Sequence, residues 1–156
     1  MKNLVPAAML AFLSACSTNL IGTQVPPYAD GVTSKSGSCA GPSLEELCAF
    51  SINVLYSSEN HPIGILAAKR IRMNKDSVIW KVTDQIPSPE VHEDQLLATY
   101  DCRLDGNRVW GLIAVVDSSH SEQGYSPALD WAYLLDHSAG KLKQMPAKGI
   151  QCLTST

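Results

Sequence analysis

Five cysteines constrain most what this chain can fold into, and they are not equivalent. Cys16 closes an apolar run, whereas Cys39, Cys48, Cys102 and Cys152 are spread through the rest of the 156 residues. Residues 4–13 (LVPAAMLAFL) are uncharged and follow Lys2, the only charge before them. That charged-then-apolar order is the order of an export signal, and ten residues are too few to cross a hydrocarbon layer of ~30 Å as a helix. No second apolar run is long enough to span a membrane.

The small residues Ser14 and Ala15 suit an extended chain entering a peptidase cleft, and the residue after them is a cysteine. Leu13-Ser14-Ala15-Cys16 resembles the lipobox of bacterial lipoproteins. The resemblance implies that residues 1–15 are removed, that the Cys16 thiol carries a diacylglyceryl group, and that the new amine is acylated. One acyl chain gives marginal attachment and a second makes it stable, so three would hold the protein on its membrane. Ser17 stands where inner-membrane retention in enteric bacteria usually shows Asp. The resemblance therefore implies the periplasmic face of the outer membrane, with inner-membrane anchoring or secretion as the alternatives.

Removing residues 1–15 from the 156 leaves 141, enough for one domain. Loss of Lys2 takes the formal charge from −3 to −4, which gives no reason to expect a nucleic-acid partner. With Cys16 assigned to lipid, the other four cysteines read as two disulfides, for which three pairings exist. The expected ones are Cys39–Cys48, a short local loop, and Cys102–Cys152, tying the chain end to the middle. A metal site is the rival reading, but no C-x-x-C pair is present and no His lies at ligand spacing.

Residues 17–42 are rich in Ser, Thr, Gly and Pro without an apolar period, the composition of a tether. The expected globular domain is therefore 43–156. Ser43-Leu44-Glu45-Glu46 has the form of a capping box and predicts a short helix from Leu44. Phe50, Ile52 and Val54 alternate with polar residues and predict a strand. Residues 63–73 and 77–83 predict two strands around an Asn74-Lys75-Asp76 turn. Residues 96–103 and 108–117 flank Leu104-Asp105-Gly106-Asn107, and Asp-Gly is a strong hairpin signal. Residues 109–116 are apolar throughout, as a central strand would be. Residues 118–128 read as a polar loop, 130–136 and 141–145 as paired strands about Ser138-Ala139-Gly140. The fold class expected is mainly β, with α+β open: a single small antiparallel sheet or partly closed barrel, one short N-terminal helix and two disulfides.

Catalytic patterns are weak. His61, His92, His120 and His137 belong to no H-x-x-x-H or H-E-x-x-H pattern. Gly124-Tyr125-Ser126-Pro127-Ala128 lacks the second glycine of a nucleophile elbow. Glu90, Glu93, Asp94 and Asp101 surround His92, where a carboxylate pair for glycoside hydrolysis would be sought, although a solvated face is the simpler reading. Lys69, Arg70, Arg72, Lys75 and Lys81 form a basic cluster that can guard strand edges. No phosphate loop or dinucleotide fingerprint appears, so no cofactor and no enzyme activity are expected.

The expected partners are a membrane, through the lipid, and another envelope protein. His61, Glu90, Glu93, Asp94 and His120, in or beside loops 57–62, 90–94 and 118–128, are the candidate contacts. In layout the chain is similar to periplasmic lysozyme inhibitors and immunity lipoproteins, which implies an inhibitor of a wall-degrading enzyme or effector. A basic hydrolase would suit an acidic inhibitor. The competing expectation is an accessory lipoprotein of an envelope or secretion complex, offering a sheet edge for strand addition.

Overall fold

The computed structural model describes residues 19–73, 77–119 and 124–154. Cys16, Lys75, His120 and the 74–76 turn lie outside the described residues, so the readings made for them stand on sequence alone.

Two antiparallel sheets make up the fold, and no helix occurs among the described residues. The first sheet contains β1 (Gln24–Val25), β2 (Thr33–Ala40), β3 (Phe50–Tyr56), β4 (Pro62–Met73) and β5 (Val78–Ile86), in the order β1-β5-β4-β3-β2. The second contains β6 (Gln95–Ala98), β7 (Cys102–Leu104), β8 (Asn107–Arg108), β9 (Leu112–Asp117), β10 (Tyr125–Asp136), β11 (Lys141–Gln144) and β12 (Ile150–Leu153). Its order is β6-β9-β10-β12-β7-β8, with β11 paired to the far end of β10. A single small sheet or partly closed barrel was expected; two sheets are found. No pairing joins β1–β5 to β6–β12 among the described residues, and the second sheet is organised by β10, whose first residues pair with β12, whose middle pairs with β9 and whose end pairs with β11.

The core lies between the sheets, where Ala40, Phe50, Ile52, Ile65 and Ala67 meet Ile113, Leu135 and Leu142. Each sheet is also covered on its other side. Ala98, Leu112, Ala114, Val116, Ala132 and Ile150 pack around the Cys102–Cys152 bridge. Leu55, Leu66 and Val82 pack against Leu20 and Val25. Burial on both faces explains why β9 reads as an unbroken apolar run rather than an alternation.

Residues 19–40 correct the tether reading. Leu20 and Val25 are buried, and β2 pairs with β3 from Thr33↔Tyr56 to Ala40↔Phe50. Thr33, Lys35 and Gly37 on this edge strand are exposed and carry no apolar period, so its composition mimics a linker.

The helix from Leu44 is absent. Ala40 lies opposite Phe50 and the Cys39–Cys48 bridge closes the loop between them, so the chain must turn back at once. It does so through i→i+3 bonds, Leu47 N donating to Leu44 O at 3.4 Å and Ala49 N to Glu46 O at 2.9 Å. A Cβ on Gly41 would overlap the Glu46 carbonyl, which shows how tightly the loop folds over. Glu45's own amide and the Ser43 hydroxyl hold the Glu45 carboxyl below its ordinary pKa, so Ser43 caps that carboxylate instead. Both disulfides are paired as expected.

The Asp-Gly hairpin forms, with Asp105 and Gly106 both at positive φ (49° and 80°), as a two-residue turn of the I′ kind requires. Its flanking strands are shorter than expected. The 96–103 run breaks into β6 and β7 at Asp101, whose φ is 45°. The 108–117 run breaks into β8 and β9 at Gly111, φ 83°, where a Cβ would meet that of Leu135 at 3.0 Å. These two breaks swing β7–β8 away from β6 and β9 and onto β12. The 118–128 loop ends early, because Tyr125 to Ala128 already belong to β10. At the other end of β10, the Asp136 carboxylate accepts bonds from the Ser138 amide and hydroxyl and from the Ala139 amide. Lys143 pairs with it at 2.6 Å, and these partners, Lys143 first, hold its pKa far below the usual range.

Candidate functional site

The breaks at Asp101 and Gly111 gather charged and aromatic side chains from three segments onto the β7–β8 edge. Arg103 and Arg108 face each other across the hairpin. The Arg108 guanidinium lies 4.0 Å from the centre of the Trp110 ring and 5.8 Å from that of Tyr100. The Arg103 guanidinium lies 3.9 Å over the Tyr125 ring. Asp101 joins the two halves: Tyr125 donates its hydroxyl to Oδ2 at 2.9 Å, and Arg108 Nε lies 3.1 Å from Oδ1. That ion pair is close but off the hydrogen-bonding direction, so buried Oδ1 accepts no directed bond among the described residues. Desolvation first, and the bond to Asp101 second, raise the Tyr125 pKa, keeping the phenol a donor.

The result is an ordered face presenting Tyr100, 59 % exposed, and Arg108, whose side chain is 41 % exposed. The Asp101 carboxylate thus sits between the Tyr125 hydroxyl and the Arg108 guanidinium and ties the two stacked pairs together. The arrangement can grip. Tyr, Trp and Arg are the side chains that dominate binding energy at protein interfaces, and stacking fixes their rotamers beforehand.

The expected contacts fall elsewhere. Glu90 and His92 line a solvent-open recess of about 390 Å³ with Gln95, Val115, Leu129, Asp130 and Trp131. Glu93 and Asp94 stand exposed beside it, and the Asp94 carbonyl accepts the Ser118 amide. Trp131 is tilted against Tyr133 with ring centres 4.8 Å apart. No ion pair ties Glu90, Glu93 or Asp94 among the described residues. His61 is in the β3–β4 loop, its amide 3.3 Å from Ser57 Oγ, and the structure does not bring it to the acidic recess as a site. Asp101, grouped by sequence with the acidic stretch, belongs to the other edge of the sheet.

The remaining candidates are structural. Ser126 is fully buried in β10 opposite Cys152, with Oγ 3.4 Å from Thr154 Oγ1. His137 packs edge-on against Phe50 at 5.7 Å, and its buried Nε2 has no hydrogen-bond partner among the described residues. Burial lowers its pKa, with Asp136 opposing. Lys69 and Lys81 lie directly opposite each other on β4 and β5, with Arg70 and Arg72 beside them. Among the described residues no group of three or more His, Cys, Asp or Glu could hold a metal ion, and no helix is long and apolar enough to cross a membrane.

Compared with known proteins, the chain matches no family model, no curated protein and no solved structure. The Arg–aromatic edge was missed from sequence because its members are joined only by long-range pairing. The one local signal was symmetry: Tyr-Asp-Cys-Arg and Arg-Val-Trp sit at matching distances on the two sides of the Asp-Gly turn.

Proposed function

We propose that this chain is a lipid-anchored, non-catalytic binding domain of the bacterial envelope that recognises another protein through Tyr100, Arg108 and Trp110, and acts as an inhibitor or immunity protein against a wall-degrading enzyme or effector. The observation that carries the reading is the guanidinium of Arg108, 4.0 Å over the Trp110 ring and paired with Asp101, beside a Tyr100 that remains 59 % exposed. A guanidinium already stacked and ion-paired costs little entropy to bury against a partner, and the exposed ring beside it offers apolar area. The acidic recess at the other edge adds a steering field for a basic target. The Cys16 anchor keeps the domain in the compartment where such enzymes act.

The test is capture from envelope extract with the domain from residue 17 onward, made in an oxidising compartment, beside its Tyr100→Ala/Arg108→Ala variant. Retention of a wall hydrolase or effector by the first and not the second supports the proposal. Equal retention by both removes the Arg–aromatic edge from it. Capture of a stable set of membrane-complex subunits replaces it with the accessory-lipoprotein reading.

A further inference from the structure

The leash between the lipid and the domain is short. Leu20 is buried, and its amide donates to Gln85 Oε1 at 2.8 Å. Gly22 N then donates to Val82 O at 2.8 Å and Val82 N to Thr23 O at 2.9 Å, so the chain is stitched to β5 from its first described residues. Three peptide units separate Cys16 from Asn19, and fully extended they span at most roughly 11 Å. Whatever holds Cys16 is therefore close to the surface around Asn19.

That surface is apolar and concave. Asn19, Ile21, Ile63, Gln85, Ile86 and Pro87 line a solvent-open recess of about 440 Å³ that contains no charged side chain. Ile21 is 44 % and Ile63 46 % exposed, and the two share this one recess with Ile86 and Pro87 instead of standing apart on the surface. A second surface also has lipid-compatible chemistry: Ile71 and Met73, 47 % and 66 % exposed, lie beside Lys69, Arg70 and Arg72. It sits at the other end of the same strand β4, Ile71 and Met73 being 8 and 10 residues beyond Ile63 and so roughly 26–33 Å away. A leash of about 11 Å reaches the first surface and not the second.

We propose that the Ile21–Ile63–Pro87 recess docks on the lipid surface, so that the domain stands on its membrane in one orientation instead of swinging from a tether. This rests on the lipid-anchor reading of Cys16. The exposed isoleucines enter the headgroup boundary, and the recess lining carries no charge to be desolvated in doing so. The basic tip of β4–β5 then points away from the bilayer.

The experiment uses the full chain, acylated in vivo and reconstituted in vesicles of phosphatidylethanolamine and phosphatidylglycerol. A genetically encoded fluorescent residue replaces either His61, two residues before Ile63, or Met73. Docking predicts that a lipid-borne nitroxide quenches the reporter at position 61 at least threefold more than that at 73. It also predicts that Ile63→Asp brings the two together. Equal quenching, or stronger quenching at 73, overturns the proposal. The mass of the N-terminal peptide separates the two layers: acylated Cys16 with equal quenching removes docking alone, whereas Cys16 without acyl groups removes the anchor as well.

Discussion

At the β6 edge of the second sheet, Glu90, Glu93 and Asp94 stand in solvent with no ion pair among the described residues. At the β7–β8 edge, Arg103 and Arg108 are stacked on rings and tied through Asp101 and Tyr125. Both edges carry charge, but only one carries order. A free carboxylate acts at a distance, through a field that falls off within about 8–10 Å at physiological salt. A stacked guanidinium acts at contact, where the rotamer entropy has already been surrendered in folding. The difference originates in the backbone. Asp101 and Gly111, both at positive φ, turn β7 and β8 onto β12, and the Cys102–Cys152 bridge locks that position.

The largest effect expected is therefore from that bridge. Its ends are 50 residues apart, against 9 for Cys39–Cys48, and in the chain-entropy model the longer loop contributes about 4 kcal/mol and the shorter about 2.5. Denaturant unfolding of Cys102→Ala/Cys152→Ala and Cys39→Ala/Cys48→Ala variants measures this. The first pair should lose more stability and should also lose partner binding, while the second should keep it. Equal losses from the two would detach the bridge from the ordered edge.

Tyr125→Phe comes next, a smaller loss, since it removes one hydrogen bond to a carboxylate already short of directed donors. Denaturant midpoints read it. A loss no greater than that of an exposed Tyr→Phe control would show that Asp101 does not need its phenol.

The smallest effect concerns neither edge and serves as their control. The His137 pKa is depressed by burial, so the folded state favours neutral imidazole. The unfolded chain then binds more protons in the window below about pH 6.5, and stability, complete above that pH, declines as pH falls through the window. His137→Gln should flatten this slope in thermal melts between pH 5 and 7 without moving partner binding. A slope unchanged in the variant would assign it to other groups.

Sequence reading succeeded where pattern is local. The alternation of Phe50, Ile52 and Val54, the two-faced apolar run of β9 and the Asp105-Gly106 turn all declare themselves within a few residues. It failed where long-range pairing decides. β2 is polar because it is an edge, and Ser43 caps no helix because Ala40↔Phe50 leaves no room for one. Tyr100, Arg108 and Tyr125 are adjacent only after β12 has come between β7 and β10. The acidic stretch was legible because it is contiguous, and contiguity is no sign of order.

The most direct measurement is the kinetics of binding to the captured partner by Tyr100→Ala, Arg108→Ala and Glu90→Gln/Asp94→Asn variants at two salt concentrations. The first two should weaken affinity tenfold or more, about 1.4 kcal/mol or above, through faster dissociation at either salt. The acidic double variant should slow association a few fold at low salt and little at high salt. A loss concentrated in the acidic variant, with Tyr100→Ala and Arg108→Ala binding normally, would contradict the account and move the site to the β6 edge.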